Sequence, residues 1–467
     1  MSLPFRPVIL WTDGLLFILL AAIALLAFWM ARSPQWRKLW ARVGASPVAV
    51  ACLVVLTCYA LVAVLDSLHY RARLPDTRAG LPAQYSDSVR SVFDALTPDL
   101  WRQAEETYSA PLAAHLFVRQ AETLADGQVV RVYPRLRIAA GGGIPGQRWR
   151  DIGHRVLLGL AAGLATVGAC AWLLAWRCGR GGARAWLVAA ARGRVGWPVR
   201  TLLASLAVVF VLVAVSAALA PAYHVLGTDK VGQDVLYLTL KSVRTGLLIG
   251  TLTTLVTLPL AIFLGIAAGY FGGWVDDAIQ YLYTVLNSIP AVLLIAAAVL
   301  MAQVYIETHG QMFDTNAARA DFRLLFLCLI LGMTNWTSLA RLLRGETLKI
   351  RSLEYIEAAR VFGVGHGRIL LRHILPNVFH IVLISTVMDF SALVLAEAVL
   401  SYVGVGVDPL TYSWGNMINA ARLELAREPV VWWQIAAAFV FMSTLVLAAN
   451  LLADVVRDAF DPRRARD

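Results

Sequence analysis

Eight stretches of the chain hold no Asp, Glu, Lys or Arg: 14–31, 43–65, 156–176, 201–228, 245–275, 278–306, 324–340 and 429–453. A ninth, 374–407, is interrupted only by Asp389 and Glu397. Most reach the roughly 20 residues that a helix needs to cross a bilayer core of about 30 Å. Inside lipid, backbone N–H and C=O groups must be satisfied within the protein, and a single helix does this unaided. The runs therefore predict an all-α, polytopic membrane protein with about nine transmembrane helices. Charged residues make up 15% of the 467, against about 25% in a globular chain, which argues against a string of soluble domains.

The net charge of +11 would suit a nucleic-acid binder, but its placement does not. Only four residues are Lys, and the Arg residues gather in short connectors between apolar runs, where they set orientation in a membrane. No nucleic-acid partner is expected. Cys52, Cys58, Cys170, Cys178 and Cys328 form no C-x-x-C pair and have no nearby His set, so they read as small apolar filler and no metal site is expected. The run 14–30 is preceded by Arg6 and followed by Arg32, Arg37, Lys38 and Arg42, the reverse of a secretory signal. A retained helix with its N-terminus outside is expected.

Connector 31–46 carries four Lys/Arg and no acid, 177–200 six Arg and no acid, 341–376 seven Lys/Arg, and the tail 454–467 four Arg. Placing all four inside requires nine spans and a cytoplasmic C-terminus. Segment 67–152 then lies outside despite its eleven Arg, which is permissible because long loops translocate largely regardless of charge. Interspersed acids make it a folded insert, either a binding element or a small packing cap. Val89, Val92, Phe93, Leu96 and Leu100 predict helix within 86–124, and Gly127, Pro134, Gly141, Gly142, Gly143 and Pro145 predict strand or loop beyond it. The expected organisation is an accessory transmembrane hairpin at 1–66, the insert at 67–152, a further helix and basic connector at 153–198, and a six-helix part at 199–467.

The most informative stretch runs from Glu354 to Asn377. Residues 352–362 predict a short helix with Ser352 as N-cap and Glu354 in its first turn. Gly363 can take positive φ and stop it, and 368–375 predict a second amphipathic piece ending at Pro376. The small Ala358 and Ala359 would let another surface approach, and Glu357 offers a carboxylate. The alternative is a helix floating on lipid headgroups.

Glu357-Ala358-Ala359, then Gly363, then Leu375-Pro376 resembles the cytoplasmic loop motif of ABC importer permeases, which docks on the ATPase subunit. The surrounding Arg372-His373 and Pro376-Asn377 look like the dipeptide, oligopeptide and nickel permease branch, specifically its C-type subunit, although His373 stands where the general motif has Ile. Gly227, Thr228, Asp229, Gly232 and Asp234 are similar to an outer family segment, with Gln233 replacing Arg. Gly269 to Gly273, Ser288-Ile289-Pro290 inside the third core span, Glu397, Ser401, Ser413-Trp414-Gly415 and the ending Asp461-Pro462-Arg463 also match. The resemblance covers about 199–467 and implies a coupling loop at 346–376 that contains Glu354, Glu357, Ala358, Ala359, Gly363, Arg372, His373 and Pro376. It makes Glu397, Ser401 and Trp414 candidates for the pathway or outer mouth; Asp389 matches no family position and is a candidate because a charge at membrane depth needs a cavity or a partner, with helix packing as the alternative.

The implied machine is a binding-protein-dependent importer in the bacterial inner membrane. This chain would form half of the peptide pathway, beside a second homologous permease subunit, two ATPase subunits and a periplasmic substrate-binding protein. Nickel, glutathione, an opine or a peptide antibiotic are alternative cargoes. None of Lys38, Lys230, Lys241 and Lys349 follows a Gly, so the chain lacks a Walker lysine; it is expected to have no catalytic residue and no cofactor of its own, with ATP and Mg on the partners. Gly363, Gly365 and Gly367 follow a helix and not a strand, against a phosphate loop, and His366, His373 and His380 are separated by Pro376, against a metal site.

Overall fold

The computed structural model describes residues 5–32, 34–74, 85–102, 104–123, 129–138, 147–178, 186, 188–190, 192, 197–313 and 315–460. The turn residues Gly127, Gly141, Gly142, Gly143 and Pro145, most of connector 177–200 and the ending Asp461-Pro462-Arg463 lie outside these. Among the described residues, nine helices are long and apolar enough to cross a membrane. The fold is all-α, with two small antiparallel sheets. The chain divides into two compact units. One gathers 1–8, 40–244 and 412–452; the other gathers 9–39, 245–411 and 453–467.

In the first unit, strand β1 (Phe5–Val8) pairs antiparallel with β2 (His69–Ala72), which pairs with β3 (Arg90–Ser91). The second unit contributes α1 (Trp11–Arg32). Helix α2 (Pro34–Ala45) follows α1 and precedes α3 (Pro47–Ser67), whose start Ser46 caps by accepting from the Ala49 N–H. The expected helix within 86–124 is not formed. Among the described residues there, only α4 (Val92–Leu96) and α5 (Pro98–Trp101) are helical, before β4 (Gln120–Thr123) pairs with β5 (Val129–Val132). The reason is local. Ser91 starts α4 through a reciprocal cap with Asp94, and Pro98 fits only a helix start, so each apolar turn is cut short.

Helix α6 (Gln147–Cys178) lies against α7 (Val199–Leu219). A Cβ on Gly159 would stand 2.6 Å from Val215 Cα, and one on Gly163 2.7 Å from Val211 Cα. This small-xxx-small pair lets two backbones touch, the packing device available where lipid offers no hydrophobic gradient. Ile152, Leu219, Ala222 and Tyr223 close the end of that contact.

Helix α8 (Val235–Phe271) begins in the first unit and continues in the second. There it is followed by α9 (Gly273–Ser288) and α10 (Ala291–Thr308). The run 278–306, expected as one span, is therefore broken. Pro290 has no N–H to bond the preceding turn and its ring crowds that turn, and it stands as the N-cap of α10. Helix α11 (Asn316–Arg351) is the spine of this unit, with Leu327, Leu331, Leu339 and Leu343 buried along it. Two short helices, α12 (Glu354–Val361) and α13 (His366–Ile369), lead through a π turn (Leu370–Ile374) into α14 (Leu375–Val403). The first unit also holds α15 (Trp414–Ala421) and the start of α16 (Trp433–Phe460).

Candidate functional site

The segment after α11 differs from its sequence reading at its first residue. Ser352 is not the N-cap of the next helix; it closes α11, and its hydroxyl donates to the Lys349 carbonyl at 2.9 Å. Leu353 takes the N-cap place of α12 without a side-chain hydrogen bond. Three residues later Ile356 is fully buried, in a cluster with Ala261, Ile266, Leu343, Ile350 and Ile369. That anchor fixes which face of α12 turns inward. Ala359 packs against the same cluster, while Glu354, Glu357 and Ala358 are exposed.

The far end of α12 is a Schellman turn. Gly363, at φ 73°, donates to the Arg360 carbonyl, and Val364 donates to the Ala359 carbonyl. Val364 and Ala359 pack on the same apolar cluster, the contact that usually accompanies this turn. The turn throws Val361 and Phe362 outward, 86% and 85% exposed. These two apolar side chains are the tip of the segment, and the sequence reading, fixed on the alanines, passed over them.

Beyond the turn, the helix does not break at Pro376. Helicity runs on from His366 to Val403, and the π turn at Leu370–Ile374 sits just where proline lacks its N–H and its ring would strike the preceding turn. Arg372 is exposed and His373 half-buried, with its ring 6.3 Å from that of Tyr355. Asn377 donates to both the Tyr355 hydroxyl at 3.1 Å and the His373 carbonyl at 2.7 Å, which ties α12 to α14. The segment is also tied to the end of α8. The Tyr270 hydroxyl and His366 Nδ1 are 2.8 Å apart, the Arg360 guanidinium lies over the Tyr270 ring, and Arg351 donates to the Tyr270 carbonyl at 3.1 Å. Arg344 reaches Asp276 of α9 through two bonds of 2.5 and 2.7 Å. Side-chain contacts thus tie α12 and the turn after it to α14 and to the end of α8. Among the described residues no group of His, Cys, Asp or Glu could hold a metal ion.

Of the candidate pathway residues, three are buried within the chain. Glu397 is 1% exposed and accepts from the Ser401 hydroxyl at 2.7 Å, and Trp414 donates from Nε1 to the Thr239 carbonyl. Asp389 differs: it is half-buried and, among the described residues, takes part in no hydrogen bond or ion pair.

The outer-segment residues come together in the first unit. Thr228 donates to the Thr107 carbonyl at 2.9 Å, and Asp229 accepts from the Val231 and Gln233 N–H groups. Gly227 and Gly232, both at positive φ, leave no room for a side chain because the Ser109 and Glu105 carbonyls press on them. Asp234 Oδ2 lies 2.7 Å from His224 Nδ1, and Glu105 Oε1 lies 3.7 Å from His224 Nε2. Burial alone would lower the His224 value, but the two carboxylates overcome it and raise it to about 9. The insert is therefore bonded to the segment that resembles the family's outer segment, through partners 121 residues apart in the chain.

A second buried cluster of that unit was also unforeseen. Lys241 of α8 donates to Asp66 of α3 at 2.6 Å, to Asp94 of α4 at 3.0 Å and to Ser91 at 3.3 Å. Burial by itself would push the Asp94 carboxyl up, yet Lys241, Ser91 and Tyr237 hold it below the usual carboxylate range.

Comparison with known proteins bears on the whole arrangement. Residues 261–466 match the family described as binding-protein-dependent transport system inner membrane component. The chain is 33% identical over 239 residues to the oligopeptide transport system permease OppC of Mycobacterium tuberculosis, covering 51% of this chain and 76% of that one. It is 34% identical over 240 residues to the glutathione transport system permease GsiD of Pectobacterium atrosepticum, covering 51% and 73%. It is 28% identical over 243 residues to the dipeptide transport system permease DppC of Bacillus subtilis, covering 52% and 70%. With its nine candidate spans and the turn at Gly363, the chain belongs to this family of inner-membrane permease components of ABC importers.

Proposed function

We propose that the chain forms half of the translocation pathway of an ATP-driven peptide importer, beside a second, related permease subunit. Helix α12 and its terminal turn dock on one of two separate ATPase subunits, which bind ATP and Mg and carry out hydrolysis. A periplasmic substrate-binding protein delivers the cargo. The chain lies in the bacterial inner membrane with its N-terminus outside and its C-terminus inside, a placement supported by the basic connectors 31–46 and 341–376. The observation that carries the reading is the exposed Val361-Phe362 tip, held by Gly363 and braced through Tyr270, Arg351 and Arg360. An apolar pair so exposed, on so firmly seated a helix, fits an apolar cleft on a partner. Peptide as cargo is supported by the relatives, whose names speak of oligopeptides, dipeptides and glutathione. Asp389, half-buried and unpaired among the described residues, is the proposed pathway-lining acid, since such a charge at membrane depth needs a watery cavity or a partner. Uptake of labelled di- and tripeptides in cells with and without this chain tests the reading. Peptide uptake should be lost and restored with the chain; unchanged peptide uptake with lost nickel uptake would reassign the cargo.

A further inference from the structure

Helix α2 (Pro34–Ala45) is tied at both ends to helices long and apolar enough to span, α1 up to Arg32 and α3 from Pro47. Twelve residues make a rod about 18 Å long. Connections this short hold it at the membrane surface, at headgroup depth. Its side chains divide cleanly. Trp36, Leu39 and Val43 fall on one stripe and are half-buried or, for Val43, buried, and the Trp36 ring packs edge-on against Phe379 of α14 at 6.0 Å. Arg37, Lys38, Ala41 and Arg42 fall on the opposite stripe and are exposed. Trp40, 39% exposed, sits at the border between the two.

The exposed stripe is cationic. No acid occurs between Asp13 and Asp66. Among the described residues Arg37, Lys38 and Arg42 enter no ion pair, whereas Arg155, Lys241, Arg344 and Arg427 elsewhere do. A short helix with an anchored apolar side, a border Trp and a bare basic face is built for the zone between water and acyl chains. The only counter-charges certain to lie at that depth are lipid phosphates, and an anionic headgroup supplies a net charge that a zwitterionic one does not.

We infer that α2 is a binding surface for anionic phospholipid headgroups, with Arg37, Lys38 and Arg42 as the contacts. Because Trp36 seats this helix on α14 one turn beyond Pro376, headgroups gathered there hold the base of the helix that follows the α12 turn. The inference needs the two flanking spans only and stands whatever the cargo.

The test uses the full chain in phosphatidylcholine vesicles, with its five native Cys replaced and a fluorophore on Ala41→Cys. A nitroxide-bearing phosphatidylglycerol is compared with the matching phosphatidylcholine as quencher. Basic residues near an anionic surface each favour it by roughly five-fold at low salt, so phosphatidylglycerol should quench several-fold better. The excess should shrink at 1 M salt, where screening acts within about 3 Å, and vanish in R37Q/K38Q/R42Q. Equal quenching by both lipids would overturn the inference, as would an excess that survives the triple variant. A fluorophore shielded from both lipids would also overturn it, because a protein surface would then cover the helix. Should the triple variant fail to fold, the salt dependence of the wild type still decides.

Discussion

Replacing Lys241 with Met removes the ammonium between Asp66 and Asp94 while keeping an unbranched side chain of similar reach. The side chains of Lys241, Asp66 and Asp94 are 8%, 5% and 10% exposed, and the Nζ to Oδ1 distances are 2.6 and 3.0 Å. Deleting one partner of a buried ion pair costs about 3–5 kcal/mol, because the remaining charge stays buried and uncompensated. Here two carboxylates are stranded, so the upper part of that range is expected. Neutralising them as well should recover most of the loss: replacement of whole buried ionic clusters by neutral groups is often nearly free, and Asn at 94 keeps an acceptor for the Ser91 N–H. The assay is thermal unfolding of the full chain in mild detergent, followed by size-exclusion recovery after heating. Lys241→Met alone should be strongly destabilised, and the Lys241→Met, Asp66→Asn, Asp94→Asn combination should lie within about 1–2 kcal/mol of wild type. A single variant as stable as wild type would refute the reasoning, and so would a triple variant no better than the single.

Gly363→Val places a β-branched residue at φ 73°, with strain of about 1–3 kcal/mol confined to the turn; membrane levels should hold while ATPase pull-down falls. Gly159→Leu drives a side chain into the Val215 backbone, so α6 should separate from α7, read as new protease sensitivity near Cys178. His224 is held above its ordinary value, so its ion cluster contributes fully below about 6.5 and is lost as pH rises through about 9. Protection from hydrogen exchange around 224–234, taken relative to the intrinsic base-catalysed rate, should therefore fall between pH 7 and 10 in wild type, and His224→Gln should remove that fall in protection.

What could be read from the sequence divides by range. The nine spans were visible because each apolar run states its own environment, and the stop at Gly363 was visible because only the residues beside it set its φ. Local competition misled the rest. Val89, Val92, Phe93, Leu96 and Leu100 do keep helical spacing, yet Pro98 and the Ser91 cap cut that helix into single turns. Pro290 divided a run that charge alone left whole, whereas Pro376 was absorbed by the π turn before it. Ser352 had the right chemistry for an N-cap but was one residue too early. Lys241 gave no local sign at all: its partners lie 175 and 147 residues away, and a lone Lys near the start of an uncharged run resembles an ordinary flank. Val361 and Phe362 were overlooked because exposure belongs to the folded turn, not to the residue type.

The central claim, that the α12 turn is where this permease meets its motor, is tested most directly by ATP hydrolysis of the assembled transporter in nanodiscs. Two forms are compared, wild type and Val361→Ser with Phe362→Ser. Both substitutions fall on side chains that are 86% and 85% exposed, so the fold and membrane level of this chain should be unchanged. The account predicts that the double variant loses stable attachment of the ATPase subunits and the hydrolysis stimulated by loaded binding protein. Wild-type attachment and wild-type stimulation in the double variant would contradict it.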